Sequence, residues 1–149
     1  KRKWSGLAAA ACHRRTEVAR YLLEQGSPVD EPDLNNKWLP LHWASFSGAH
    51  EVIRLLLERG AKVDEPTPKG KAYQPYNETP LGMAIDSQNP EAVKALLAGG
   101  ANPNKRTSEY SLMPLISAFR NEEPKQWYPE TREIVEVLRA AGARETWRK

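Results

Sequence analysis

Cysteine is almost missing from this chain. Cys12 stands alone, which excludes an intrachain disulfide and any cysteine metal cluster. Oxidising compartments favour paired cysteines, so a cytoplasmic location is the expectation. Long apolar runs are missing too: no stretch of about 20 apolar residues is present to cross a membrane as a helix. No secretory leader opens the chain, and Lys1-Arg2-Lys3 without an initiator Met is the start expected of a trimmed or processed protein. Charge of one sign is also lacking, because 22 Lys and Arg against 19 Asp and Glu leave a net charge of only +3. The positive clusters at Lys1 to Lys3, Arg14-Arg15 and Arg144 to Lys149 read as solvated ends of helices and chain. Catalytic signatures are absent as well. There is no Gly-rich phosphate loop, no His-Glu-x-x-His and no nucleophile elbow. The histidines are His13, His42 and His50, and Cys12-His13, adjacent on a helix, point about 100° apart and cannot face each other as nucleophile and base. No cofactor and no metal is implied.

What is present is a repeat. From Leu39 to Gly60 the chain reads L-P-L-H-W-A-S-F-S-G-A-H-E-V-I-R-L-L-L-E-R-G. Pro40 suits a first helical turn, Gly48 breaks that helix, and Val52, Ile53, Leu55, Leu56 and Leu57 form the buried stripe of a second helix stopped at Gly60. Helices under about 12–15 residues are marginal alone, so each must lean on neighbours. The neighbours are copies. The outer helices run from Glu17 to Gly26, Glu51 to Gly60, Glu91 to Gly100 and Glu133 to Gly142, each opening on Glu and closing on Gly. The inner helices align on Leu7, Leu41, Leu81 and Leu115, spaced by 34, 40 and 34 residues. Each of these leucines is followed three places later by Ala10, Ala44, Ala84 or Ala118, small enough for close stacking.

L-P-L-H-W-A at Leu39 to Ala44 and T-P-L-G-M-A at Thr79 to Ala84 resemble the T-P-L-H-x-A motif of ankyrin repeats, and M-P-L-I-S-A at Met113 to Ala118 resembles it more weakly. G-A-K-V-D at Gly60 to Asp64 and G-A-N-P-N at Gly100 to Asn104 resemble the family's loop. The resemblance implies an all-α ankyrin-repeat solenoid of stacked helix-turn-helix pairs with projecting β-hairpin loops. It covers residues 1–149 as one domain, with repeats at about 4–33, 34–66, 74–107 and 108–145. It also implies that His42 ties down its loop by hydrogen bonding.

The function implied is non-enzymatic: a protein-protein interaction module that holds another protein in a concave groove, with no membrane association and a monomeric state. The candidate partner-binding residues are Trp38, Phe46, Tyr73, Tyr76, Asp86, Glu109, Tyr110, Leu112 and Arg120. Trp38, just ahead of an inner helix, is expected to face the groove as an exposed anchor; the alternative is packing against Trp43 or Trp4. Phe46, Asp86 and Arg120 share one groove position in successive units. The lengthened connection from Asp64 to Glu78 reads either as a recognition loop presenting Tyr73 and Tyr76 or as a solvated loop. An eight-residue insertion between the last two helices carries Trp127 and Tyr128, expected to cover the end of that helix pair or to offer a second contact. Arg139 replaces the apolar Leu23, Leu57 and Leu97 of the other outer helices and is expected to mark the polar end of the stack. The alternative function is nucleotide or RNA binding by Trp38, Lys37, Lys69 and Lys71, disfavoured by the acidic Asp30, Glu31, Asp33, Asp64 and Glu65 nearby.

Overall fold

Small polar residues and prolines start the helices of this protein. In the computed structural model, residues 5–68, 78–105, 114, 118 and 129–144 are described. Seven helices are defined among them: α1 (Gly6–Cys12), α2 (Thr16–Glu24), α3 (Pro40–Ser47), α4 (His50–Glu58), α5 (Pro80–Asp86), α6 (Pro90–Ala98) and α7 (Pro129–Ala140). Ser5, Thr79 and Asn89 cap α1, α5 and α6, their side-chain oxygens accepting the N–H of Ala8, Gly82 and Ala92 at 3.1, 3.2 and 3.0 Å. Pro40, Pro80 and Pro90 occupy first-turn positions, where no N–H partner is lost.

The helices pair antiparallel and stack in two rows. α1, α3 and α5 form the inner row, α4, α6 and α7 continue the outer row begun by α2, and each inner helix packs on the outer helix that follows it. Leu7, Leu41 and Leu81 are buried along the inner row, and Ile53, Leu56, Leu96, Ile134 and Leu138 along the outer one. Ala10, Ala44 and Ala84 are buried with them. Pro114 and Ala118, in the last inner segment, are helical and buried.

Hydrogen bonds repeat with the units. Ser47 Oγ donates to the carbonyl of Ala11 at 3.0 Å, and Ser87 Oγ to that of Phe46 at 2.8 Å, so each inner helix is tied to the one before it. Along the turns, Asp30 accepts the N–H of Lys62 at 3.3 Å, Asp64 that of Asn102 at 3.1 Å, and Asn104 that of Arg144 at 2.8 Å. These three acceptors stand at equivalent positions of successive units. On the outer row Lys94 bridges Glu91 and Glu133, joining α6 to α7. Both ends of that bridge respond: hydrogen bonding to the two carboxylates raises the Lys94 ammonium, and hydrogen bonding to Lys94 lowers the Glu91 carboxyl.

The projecting β-hairpins implied by the resemblance are not found: the described residues contain no β-strand. The reason lies in where the turn donors go. In the 30–38 turn two backbone bonds form and both meet at Asp33, its N–H donating to Trp38 O at 2.9 Å and its carbonyl accepting from Lys37 N–H at 3.2 Å. The next donors, the N–H groups of Asn35, Asn36 and Trp38, go to the Asp33 carboxylate, and Pro32 has none to give. In the lengthened connection the described residues show one backbone bond, Thr67 N–H to Glu78 O at 2.8 Å, and Glu78 N–H turns to Thr67 Oγ1 at 3.1 Å. A ladder needs successive backbone pairs along two strands; both bonds of the first turn share Asp33, and its other donors go to a side chain.

Candidate functional site

The second unit carries the most elaborate side-chain cluster, and Asp33 is its centre. Asp33 is 0% exposed, yet its carboxylate is fully engaged. Oδ1 accepts from the N–H groups of Asn35 and Asn36 at 2.8 and 2.7 Å, and Oδ2 from Trp38 N–H and Trp43 Nε1–H at 3.1 and 2.9 Å. Four N–H donors replace the water that a buried carboxylate loses, so the charge holds the turn together. The turn also requires Lys37 at φ +59°, a left-handed conformation.

Above this knot lie three aromatic rings. Trp38 and Trp43 have centroids 4.6 Å apart and planes tilted by 47°. Phe46 meets both at steep angles, 64° and 6.0 Å from Trp38 and 90° and 6.2 Å from Trp43. Edge-to-face contacts of this kind favour one arrangement of the rings. From α3 the Trp43 indole N–H reaches Asp33, and Phe46, one turn further on, is left pointing outward. It is 52% exposed.

His42 fixes the turn from the other side. Its Nδ1 accepts the N–H of Leu39 at 3.0 Å, and its Nε2 lies 2.7 Å from the carbonyl of Glu65 in the following connection. The first contact needs a lone pair on Nδ1 and the second a proton on Nε2, which defines the neutral Nε2–H tautomer. Burial lowers its pKa against smaller raising contributions from the Glu65 carbonyl and nearby acids. His42 is therefore a structural tie, as the resemblance implies.

The structure sorts the expected contact residues. Phe46 and Asp86 are exposed at their shared position on the inner row. Trp38 is 6% exposed and does not project as an anchor; the indole packs on Trp43, because Asp33 draws its backbone N–H inward. Tyr73, Tyr76, Glu109, Tyr110, Leu112 and Arg120 lie outside the described residues, as do Trp4, Lys69, Lys71, Trp127 and Tyr128. Sequence reading missed the role of Asp33, counting it among the acids that disfavour nucleotide binding. A signal was there: D-x-N-N-x-W puts an Asp two and three residues ahead of turn donors, the spacing of an Asx turn.

No arrangement among these groups supports covalent chemistry. Cys12 is half-buried, and burial pushes its thiol pKa up, away from the thiolate that a nucleophile requires. Among the described residues no group of three His, Cys, Asp or Glu side chains could hold a metal ion. Among them, too, no helix is long and apolar enough to cross a membrane.

The comparison with known families agrees with the helix pairs. A family model described as ankyrin repeats (3 copies) matches residues 1–67, and another, ankyrin repeats (many copies), matches residues 41–97. Ankyrin repeats are a non-catalytic scaffold whose fold is consistent with protein-protein interaction. Stacked helix pairs, a histidine-tied turn and these two overlapping matches converge on one conclusion: the chain belongs to the ankyrin-repeat family.

Proposed function

We propose that this protein binds another protein on the face of its inner helices, with Phe46 as the principal anchor. The observation that carries the reading is a half-exposed aromatic ring on a rigid support: Phe46 is 52% exposed while Trp38 and Trp43 hold it edge-on from below. An aromatic side chain already fixed in place loses little entropy when a partner covers it, and rigid aromatics dominate interface energetics. Its backbone is held as well, by the Ser87 hydroxyl on its carbonyl. Leu34 on the neighbouring turn adds exposed apolar area, and Asp86 one position along the row adds charge. Trp38 serves as the buttress beneath the anchor. Tyr73, Tyr76, Glu109, Tyr110, Leu112 and Arg120 are kept as further contact candidates in this proposal.

The test is affinity capture from the native source with the wild-type chain and with Phe46→Ala. One protein retained by the wild type and lost by Phe46→Ala, with circular dichroism unchanged and a stability loss under about 1 kcal/mol, is the expected result. Truncation of a central aromatic anchor costs about 2 kcal/mol or more, roughly thirtyfold in Kd. Equal retention by both chains would remove the inner-helix face from the reading.

A further inference from the structure

The four outer helices share a register, and that register exposes a difference at one end of the stack. Counting from the opening Glu, the second position is Val18, Val52, Ala92 and Ile134, and the fifth is Tyr21, Leu55, Ala95 and Val137. Val52, Ala92 and Ile134 are buried, Leu55 and Ala95 are buried, and Val137 is partly buried against the core. Val18 and Tyr21 are 49% and 60% exposed. The inner helices behave the same way: Trp43 and Met83 are buried where Ala9 is only half-buried. The second, third and fourth outer helices each have another outer helix ahead of them, and α2 has none in this structure. The positions uncovered only in the first pair are therefore those that a preceding pair covers.

One side chain that reaches across to the next outer helix is at the seventh position. Leu57 reaches the end of the next outer helix, where a Cβ on Gly99 would lie 2.3 Å from its Cδ1. Leu23 at that position is buried, Leu57 and Leu97 are packed on the core, and Arg139 is exposed. The fourth unit thus carries a charged side chain at the seventh position. The first presents an apolar aromatic and a β-branched residue.

We propose that the α1/α2 face is an open stacking face that takes one further ankyrin-type helix pair, with an apolar side chain at the seventh position of its outer helix. The face continues an interface the molecule already repeats between its own units, which defines the occupant's chemistry. A second copy docking head to tail fits it poorly, since Arg139 would be desolvated against Val18 and Tyr21. Occupancy lengthens the inner-helix row by one unit on the Cys12 side of Phe46.

Duplicating residues 5–38 directly after Trp4 in the full chain tests this, because the copy then precedes Leu7 by the 34-residue spacing that separates Leu7 from Leu41. The thermal midpoint should rise by about 5 °C or more. Leu23→Arg in the copy, or Val18→Lys with Tyr21→Lys in the original unit, should abolish the rise. In the unduplicated chain the same double substitution should leave the midpoint unchanged. A second version adds Ala9→Trp in the original unit, so that the copy's Asp33 and Trp38 find the indole they meet at Trp43. No rise in either version overturns the proposal. It is equally overturned if the double substitution destabilises the unduplicated chain, or if that chain sediments as a dimer that Tyr21→Lys dissolves, making a second copy the occupant.

Discussion

α1 and α3 hold equivalent places in successive units, yet they do different work. Where α3 carries His42, Trp43 and Phe46, α1 carries Ala8, Ala9 and Cys12. The small residues of α1 give close packing and little else. The large residues of α3 engage the turn in front of it, through Trp43 to Asp33, and the connection behind it, through His42 to Glu65. The same backbone can be a spacer or a platform, and the side chains at three positions decide which.

Making the second unit resemble the first breaks this comparison most severely at Trp43. Trp43→Ala removes a buried indole and one donor from the Asp33 carboxylate, and should cost about 4 kcal/mol in urea denaturation. A loss under about 1 kcal/mol would mean that the knot contributes little. Asp33→Ala should follow at about 3 kcal/mol, since it strands the Trp43 indole N–H and the N–H groups of the turn.

Gly48 comes next. Its φ is +69°, and a Cβ there would lie 2.2 Å from the Asn89 side-chain nitrogen, so Gly48→Ala should cost about 2 kcal/mol. The first unit has Arg14 at this position with φ +56°, tolerated because small Ala49 stands where Asn89 does. Gln88, at φ +49° in the third unit, is strained in the same way, and Gln88→Gly should stabilise by about 0.5–1 kcal/mol.

Acid should also separate the two units. The folded-state pKa of His42 lies below the ordinary value of 6.5, so its contribution is fully present above that value and is lost as pH falls below it. Protonation takes the lone pair that accepts from Leu39 N–H. Urea midpoints measured downward from pH 7 should decline in the wild type and decline less in His42→Ala, which has the residue of the first unit. The smallest effect on stability belongs to Phe46→Cys, again the first unit's residue, at under about 1 kcal/mol because half the ring is already in water.

Much of this was legible locally. The stop at Gly48, the proline-led start of α3 and the stripe of α4 follow from spacing alone, because helix capping and amphipathic periodicity act within a few residues. The exposed Phe46 and Asp86 also follow from their shared register. Trp38 and the turns were less legible. An indole next to an inner helix has the composition of an anchor, and G-A-K-V-D has that of a hairpin base. Trp38 turns inward because of Asp33, which captures its backbone N–H and the Trp43 indole together from five to ten residues' distance, while the connection after G-A-K-V-D closes on Thr67 and Glu78.

By itself the sequence determined the helix pairs, their order and their common register, through patterns that each unit contains in full. Burial was decided only by the tertiary stack. Val18 and Val52 are the same residue type, each following a Glu at the second place of an outer helix, and one is half exposed while the other is fully buried. Their local sequences cannot tell them apart. The difference is the neighbouring helix that covers Val52, and a side chain's contact with water is a property of what packs against it.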